Sequence, residues 1–381
     1  MPVSKTFCGL LWSHRFFDPQ GRIKPCCRFY DPNEEVSQEG LRSSLLSASS
    51  DRFRQAMMNS EPIPGCRRCY EEEATGKTSL RMRYNKRPDF AAQVDIQVPS
   101  LKWIEMSFSN RCNMACRMCD ERYSSRWARL GERHASQINK DVQTKLDERI
   151  NEVIDLSSSL FHIKITGGEP FLDPRHTSFL EQIVSKGRSK EIFLNYSTNG
   201  TRPPDTKIVD LWSQFMNVEV SMSFDSVEPE HFEYLRWPVK YSSWMHHVKE
   251  WLAIAQEKPF ITLGARPTVS ILNLSSLPAT LEWWWSNRTS DWLNPTHVTF
   301  PIELSTTVFP LAVKEYLKAE LISQSSSLPL VLRKMVDQQV LYMLSRDDSH
   351  LWPLSLKFLA EQDAKRGQDY RAVYPFFGAP A

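Results

Sequence analysis

From residue 101 onward the chain alternates between two textures. Short runs in which apolar and polar side chains follow one another with period two predict strands, and longer stretches with apolar residues every three or four positions predict amphipathic helices. Candidate strands cover 102–108, 162–166, 191–197, 218–224, 261–271 and 297–302, and candidate helices lie around 136–160, 176–187, 205–215, 241–256 and 276–287. Strands that alternate with helices build a parallel sheet with crossover connections, so the predicted fold class is α/β. Six such units suit a partial (β/α)6, TIM-like barrel.

The flanks read differently. Residues 1–95 contain few periodic runs and several turn signals, at Asp18-Pro-Gln-Gly21, Asp31-Pro-Asn33 and Pro62-Ile-Pro-Gly65. A module with so little apolar periodicity needs a staple. Beyond residue 310, the runs 311–322 and 331–344 have helical spacing, Ser323-Gln-Ser-Ser-Ser327 reads as a turn or linker, and an aromatic tail, Tyr374-Pro-Phe-Phe377, follows. The predicted organisation is a small N-terminal cysteine-rich module over 1–95, a barrel over 96–310 and a helical C-terminal extension over 311–381.

Charge narrows little. Lys and Arg total 47 against 45 for Asp and Glu, and an excess of +2 is too small to argue for nucleic acid or an anionic membrane as partner, neither of which is expected. No run approaches the roughly 20 apolar residues of a membrane span, and the first residues lack the apolar core of a signal peptide. The expectation is a soluble, cytoplasmic protein. All eight cysteines lie between Cys8 and Cys119 and none in 120–381, which fits metal binding in a reducing compartment better than disulfides spread through a secreted fold.

Three of them, Cys112, Cys116 and Cys119, fall within eight residues directly after the first barrel strand, in the run Cys-Asn-Met-Ala-Cys-Arg-Met-Cys. Thiolates are ligands for iron–sulfur clusters and zinc, and short spacings let one loop wrap one inorganic centre. A structural zinc wants four protein ligands, and the nearest further candidates, Asp120 and His134, suit it poorly. The run resembles the cluster motif of the radical S-adenosylmethionine (SAM) enzymes, in which three cysteines hold a 4Fe-4S cluster and leave one iron open. It departs in having Met118 where that family usually places an aromatic residue.

Other segments extend the resemblance. Gly167-Gly168-Glu169-Pro170 follows the second strand, where two glycines permit a sharp turn and a carboxylate can accept from an ammonium. In the family the matching segment grips the amino group of SAM. Ser197 and Asn199 close the third strand and Ser223 and Asp225 the fourth; with Arg236 they match positions lining the SAM pocket, Ser223 and Arg236 toward its carboxylate. Asn273, ending the fifth strand, matches an approach to the ribose and adenine. Each residue taken singly is also explained as a turn or strand cap.

The remaining cysteines are Cys8, Cys26, Cys27, Cys66 and Cys69. Cys8, Gly21 and Cys26 are similar to the arrangement in twitch and SPASM accessory domains, which hold an auxiliary 4Fe-4S cluster but usually follow the barrel. The preferred set is Cys8, Cys26, Cys66 and Cys69, with Cys27 as an alternative to Cys26 and zinc as an alternative to the cluster. The run Arg81-Met-Arg-Tyr-Asn-Lys-Arg87 reads as a solvated helix face, and Trp283, Trp284 and Trp285 as packing.

The resemblance implies reductive cleavage of SAM to a 5′-deoxyadenosyl radical, a one-electron donor such as flavodoxin or ferredoxin, and hydrogen abstraction from a substrate. Relatives with such modules often modify peptides, so oxidation or cross-linking of a peptide or protein is the leading expectation. A small-metabolite substrate is one alternative, and a zinc-stapled protein-binding scaffold without catalysis is another.

Overall fold

The computed structural model describes residues 4–30, 40–74, 76, 78–131 and 140–378. The turn signal at Asp31-Pro-Asn33, the helix start at 136–139 and His134 lie outside them. Seven strands form one unclosed, mostly parallel sheet. They are β1 (His14–Phe17), β2 (Ile23–Lys24), β3 (Trp103–Ser107), β4 (His162–Thr166), β5 (Phe193–Thr198), β6 (Asn217–Met222) and β7 (Ile261–Ala265), in the order β2-β1-β3-β4-β5-β6-β7. This mixed α/β architecture is that of a partial TIM barrel.

Two features differ from the expectation. β1 and β2 come from the N-terminal region and extend the sheet beside β3, with β1 antiparallel to β2 and parallel to β3. The predicted strand at 297–302 does not join the sheet. Instead β8 (Thr268–Val269) and β9 (Thr296–His297) make a separate parallel pair, because Pro267 ends β7 by removing a donor and a 3-10 turn at Ile302–Leu304 follows Pro301.

By contact the chain divides into two compact units, Met1–Asn110 with Gln137–Tyr196 and Asp205–Val218, and Arg111–Ser136 with Ser197–Pro204 and Glu219–Ala381. In the first unit the sheet has two distinct faces. Ile104, Met106, Ile163, Ile165, Leu194 and Tyr196 are buried on one face. Helices Arg175–Ser185 and Thr206–Trp212 cover it there, with His176 Nε2 2.9 Å from Tyr196 Oη and Trp212 Nε1 donating to the same oxygen at 3.2 Å.

The other face is built in rows, since paired residues of parallel strands point the same way. His14, Trp103, His162 and Phe193 form the first row, with ring centroids 4.2 Å, 4.9 Å and 4.9 Å apart in that order. Burial pulls the His14 imidazole down to about 4 and that of His162 well below its usual range, so both rings are neutral. One pleat on, Phe16, Glu105, Lys164 and Asn195 align, and Lys164 Nζ lies 2.8 Å from Glu105 Oε1. Ser107 and Thr166 make the third row, where β3 and β4 end.

The second unit carries the C-terminal helices Leu311–Ser325, Leu330–Leu344 and Trp352–Arg366. The first of these runs through half of the predicted linker. Trp284 is buried while Trp283 stacks on Phe224 with centroids 5.0 Å apart, and the Arg288 guanidinium lies 3.5 Å over Trp285. Tyr374 and Phe377 of the tail are buried. Among the described residues no helix is long and apolar enough to cross a membrane.

Candidate functional site

The three-cysteine run occupies an irregular loop, and the sequence supplies partners for many of the backbone groups an irregular segment would otherwise strand. Ala115 N–H donates to Trp237 O and Arg117 N–H to Leu235 O, both at 2.9 Å. Ser124 caps the helix Ser125–Leu130 and also donates to Met114 O at 2.5 Å, while Ser125 Oγ bridges the Cys112 N–H and carbonyl at 3.1 Å and 3.2 Å. Trp127 Nε1 donates to Cys116 O at 2.7 Å. Cys116 is buried, and burial pushes its thiol and that of Cys119 above the ordinary range.

Polar side chains reach the sulfurs. Asn199 Nδ2 is 3.8 Å from Cys112 Sγ, and Arg236 Nη1 is 3.7 Å from Cys116 Sγ. Arg236 is itself oriented by Asp225, whose Oδ2 accepts from Nε at 2.8 Å and Nη2 at 2.5 Å. Burial works against its charge, and Asp225 more than restores it, so Arg236 stays cationic. Asp225 Oδ1 accepts from Thr268 N–H at 2.8 Å. Ser223 is half-buried, its N–H donating to Thr198 O at 2.9 Å, and Ser197 is also half-buried.

Asn273 departs from the expectation of a ligand contact. Its Nδ2 donates to Asp225 O and Thr268 O, and its Oδ1 accepts from both the N–H and the hydroxyl of Ser270. Two donors and two acceptor positions are thus used within the protein, and the side chain acts as a brace for Asp225. Asp120, weighed as a fourth metal ligand, is held by Arg122 at the surface.

In the first unit, the turn after β4 is bound to the end of β3. Gly168 N–H donates to Ser109 O at 3.0 Å, Ser109 Oγ to Asp173 Oδ2 at 2.5 Å, and Arg175 Nη2 to Phe108 O at 2.5 Å. Gly167 has φ +110°, and a Cβ there would lie 2.8 Å from Ser107 Cβ and 3.0 Å from Ser109 O. Glu169 is buried and accepts from Phe171 N–H at 3.3 Å. Gly167→Ala is expected to cost about 1–3 kcal/mol from backbone strain, with the clash adding to it. A thermal melt checks this, and an unchanged Tm would contradict the geometry of the turn.

The N-terminal cysteines converge as well. Cys8, Cys26, Cys66 and Cys69 line one hollow together with Leu10, Phe29, Gly65, Leu80 and two arginines, Arg28 and Arg81. Gly65 is required here, because a Cβ would sit 2.4 Å from the Phe29 ring. Arg28 pairs with Glu72, and Arg81 with Glu73, while Arg81 Nη1 donates to Lys5 O and Phe7 O at 2.8 Å and 2.9 Å. Arg81 is therefore buried, not part of a solvated face, and the period-based reading missed it. Burial drives the Cys8 and Cys26 thiols up to about 12, so these sulfurs become ligands only with a metal to compensate them. Cys27 is exposed and is not among the residues that line this hollow.

Among the described residues no group of three or more His, Cys, Asp or Glu is spaced to hold a single metal ion. What unites the four N-terminal sulfurs is a shared hollow ringed by apolar and cationic side chains, and what unites the other three is one backbone-anchored loop. Both donor sets consist of sulfur alone, the chemistry of iron–sulfur clusters.

Residues 106–283 match the Radical SAM superfamily. Comparison with curated proteins finds no match. Among solved structures, the chain is similar to SuiB of Streptococcus suis bound to S-adenosylmethionine, at 14% identity over 59% of this chain and 47% of that one, with a TM-score of 0.38. It is similar to anSMEcpe with bound AdoMet at 16% identity over 51% and 52% of the two chains, with a TM-score of 0.38. It is also similar to the radical S-adenosylmethionine methyltransferase TsrM of Kitasatospora setae, at 14% identity over 40% and 28%, with a TM-score of 0.32. The chain spans about half the length of the first two and less of the third.

Proposed function

Because residues 106–283 form a radical SAM domain, we propose that Cys112, Cys116 and Cys119 hold a 4Fe-4S cluster and that the enzyme abstracts hydrogen from a peptide or protein substrate. The observation that carries the reading is the anchored loop of three thiols, two of which lie within hydrogen-bonding reach of Asn199 and Arg236. When bound, the cluster and SAM supply one-electron cleavage of the sulfonium to methionine and a 5′-deoxyadenosyl radical.

The chain's own residues do the positioning. Arg236 offers Cys116 a cationic donor, Asp225 fixes the guanidinium, and Asn273 fixes Asp225. Gly167, Gly168 and Glu169 are assigned to the SAM amino group, with Ser197, Asn199 and Ser223 as further polar contacts, on the family resemblance. The hollow lined by Cys8, Cys26, Cys66 and Cys69 is assigned an auxiliary 4Fe-4S cluster, its charge countered by Arg28 and Arg81. Modules of that kind often accompany peptide modification, which supports oxidation or cross-linking of a peptide. The electron donor is assigned as a flavodoxin or ferredoxin, the compartment as cytoplasmic, and the organisation as 1–95, 96–310 and 311–381.

Protein purified without oxygen tests the reading. It should be coloured, carry about eight irons per chain, four per cluster, and release 5′-deoxyadenosine with SAM and dithionite. Colourless protein containing zinc would overturn it. Cys69→Ser should lower iron to about four while 5′-deoxyadenosine release persists, and Cys27→Ser should leave the iron count unaltered. Equal iron loss in both variants would place the auxiliary ligands elsewhere.

A further inference from the structure

Three guanidiniums surround the cysteine loop, and their pairing is unequal. Arg236 is matched by Asp225, and Arg117 by Asp363, with the Arg117 guanidinium also 3.8 Å over the Tyr234 ring. The third, Arg366, ends the helix Trp352–Arg366 and is 6% exposed. Its Nη2 donates to Ala115 O and its Nη1 to Tyr234 O at 3.3 Å, and its Nε has no partner. The guanidinium lies 4.3 Å over the ring of Trp127, whose Nε1 holds Cys116 O.

Among the described residues no carboxylate forms an ion pair with Arg366. Asp363, one turn earlier on the same helix, is engaged by Arg117, by Tyr234 Oη at 3.0 Å and by Tyr370 N–H at 2.6 Å. Burial accordingly pulls Arg366 down to about 9, and the neighbouring Arg117 adds to that effect, but the group is still charged at neutral pH. A buried cation without a counter-ion is costly, and the two carbonyls and the Trp127 ring offset that cost without neutralising the charge. The loop it grips by the Ala115 carbonyl carries three sulfurs that bind iron as thiolates.

We propose that Arg366 is the counter-charge of the cluster loop, a positioning residue that holds the 112–119 segment and raises the potential at which its cluster accepts an electron. This rests on the cluster assigned above to Cys112, Cys116 and Cys119. A four-iron centre held by three thiolates is anionic and gains negative charge when a flavodoxin or ferredoxin class donor delivers one electron. A fixed buried cation therefore stabilises the reduced state more than the oxidised one. Arg117 and Arg236, each paired with a carboxylate, contribute less net field.

The test compares Arg366→Met and Arg366→Lys with the parent protein. The electron paramagnetic resonance signal followed is the one that Cys116→Ala abolishes, so the auxiliary centre is not scored. Arg366→Met is expected to lower the reduction equilibrium constant at least tenfold, about 59 mV for a one-electron couple, while Arg366→Lys stays close to the parent. The Tm loss of Arg366→Met should be larger in iron-loaded than in iron-free protein, because only the loaded loop needs the cation. An unmoved potential, or equal Tm losses in the two states, overturns the proposal. Absence of any Cys116-dependent signal in the parent would instead remove the cluster assignment, and this inference with it.

Discussion

Cys116→Ala is expected to reduce 5′-deoxyadenosine release to background and to lower bound iron from about eight to about four per chain, the loss of one four-iron cluster. The effect is large because a three-thiolate site has no spare ligand. Cys116 is also the buried member of the trio, while Cys112 and Cys119 are half-buried, so no water or surface side chain replaces it easily. The loop itself should persist in the variant. It is held by Ala115 and Arg117 to the backbone of 235–237 and by Trp127 to a carbonyl, none of which uses the lost sulfur. Iron analysis, product chromatography and a melt separate loss of the centre from loss of fold. Unaltered product release would show that the assigned site is wrong.

Arg236→Met should be the most damaging substitution to stability. The pair it breaks is buried on both sides, with side-chain exposures of 7% and 0%, and Asp225 is left without its guanidinium in a site closed to water. Removing one partner of such a pair costs about 3–5 kcal/mol, which at roughly 2–4 °C per kcal/mol lowers Tm by roughly 10 °C. The double variant Arg236→Met, Asp225→Leu should recover much of that loss, since no lone carboxylate is left behind. If the single variant melts within roughly a degree of the parent, the pair is not the closed ion pair described here.

Part of the sheet was legible because β4 and the second half of β3 alternate apolar residues on the helix-covered face with polar ones on the other. β4 reads His-Ile-Lys-Ile-Thr and β3 reads Trp-Ile-Glu-Met-Ser, so the period of two appears directly in the chain. β1 was hidden for the opposite reason. Its residues read His-Arg-Phe-Phe, so each face of the strand carries one polar and one apolar side chain and no alternation marks it. The pair β8 and β9 shows a different limit, since two prolines decide where pairing stops and apolar periodicity does not register them.

The cysteine trio stood out in the sequence because its members are neighbours along the chain. The N-terminal set was only partly so. Cys26 and Cys27 are adjacent and chemically identical, and only the fold turns one toward the hollow and leaves the other exposed. Arg366 left no trace at all, lying 251 positions from the carbonyl it grips. Asn273 was singled out as a ligand contact because a polar residue at a strand end is ambiguous, and the structure spends its whole hydrogen-bonding capacity on Asp225, Thr268 and Ser270.

The rings of His14, Trp103, His162 and Phe193 act as a stopper across four strands. His14 Nε2, Trp103 Nε1 and His162 Nε2 have no partner within it, the two imidazoles carry no charge, and Tyr84 and Phe90 press on Trp103 from the side. A proton relay needs a continuous chain of donors and acceptors, and this layer breaks it. The polar row of Glu105, Lys164 and Asn195 lies one pleat above, separated by this layer from the strands' N-terminal end.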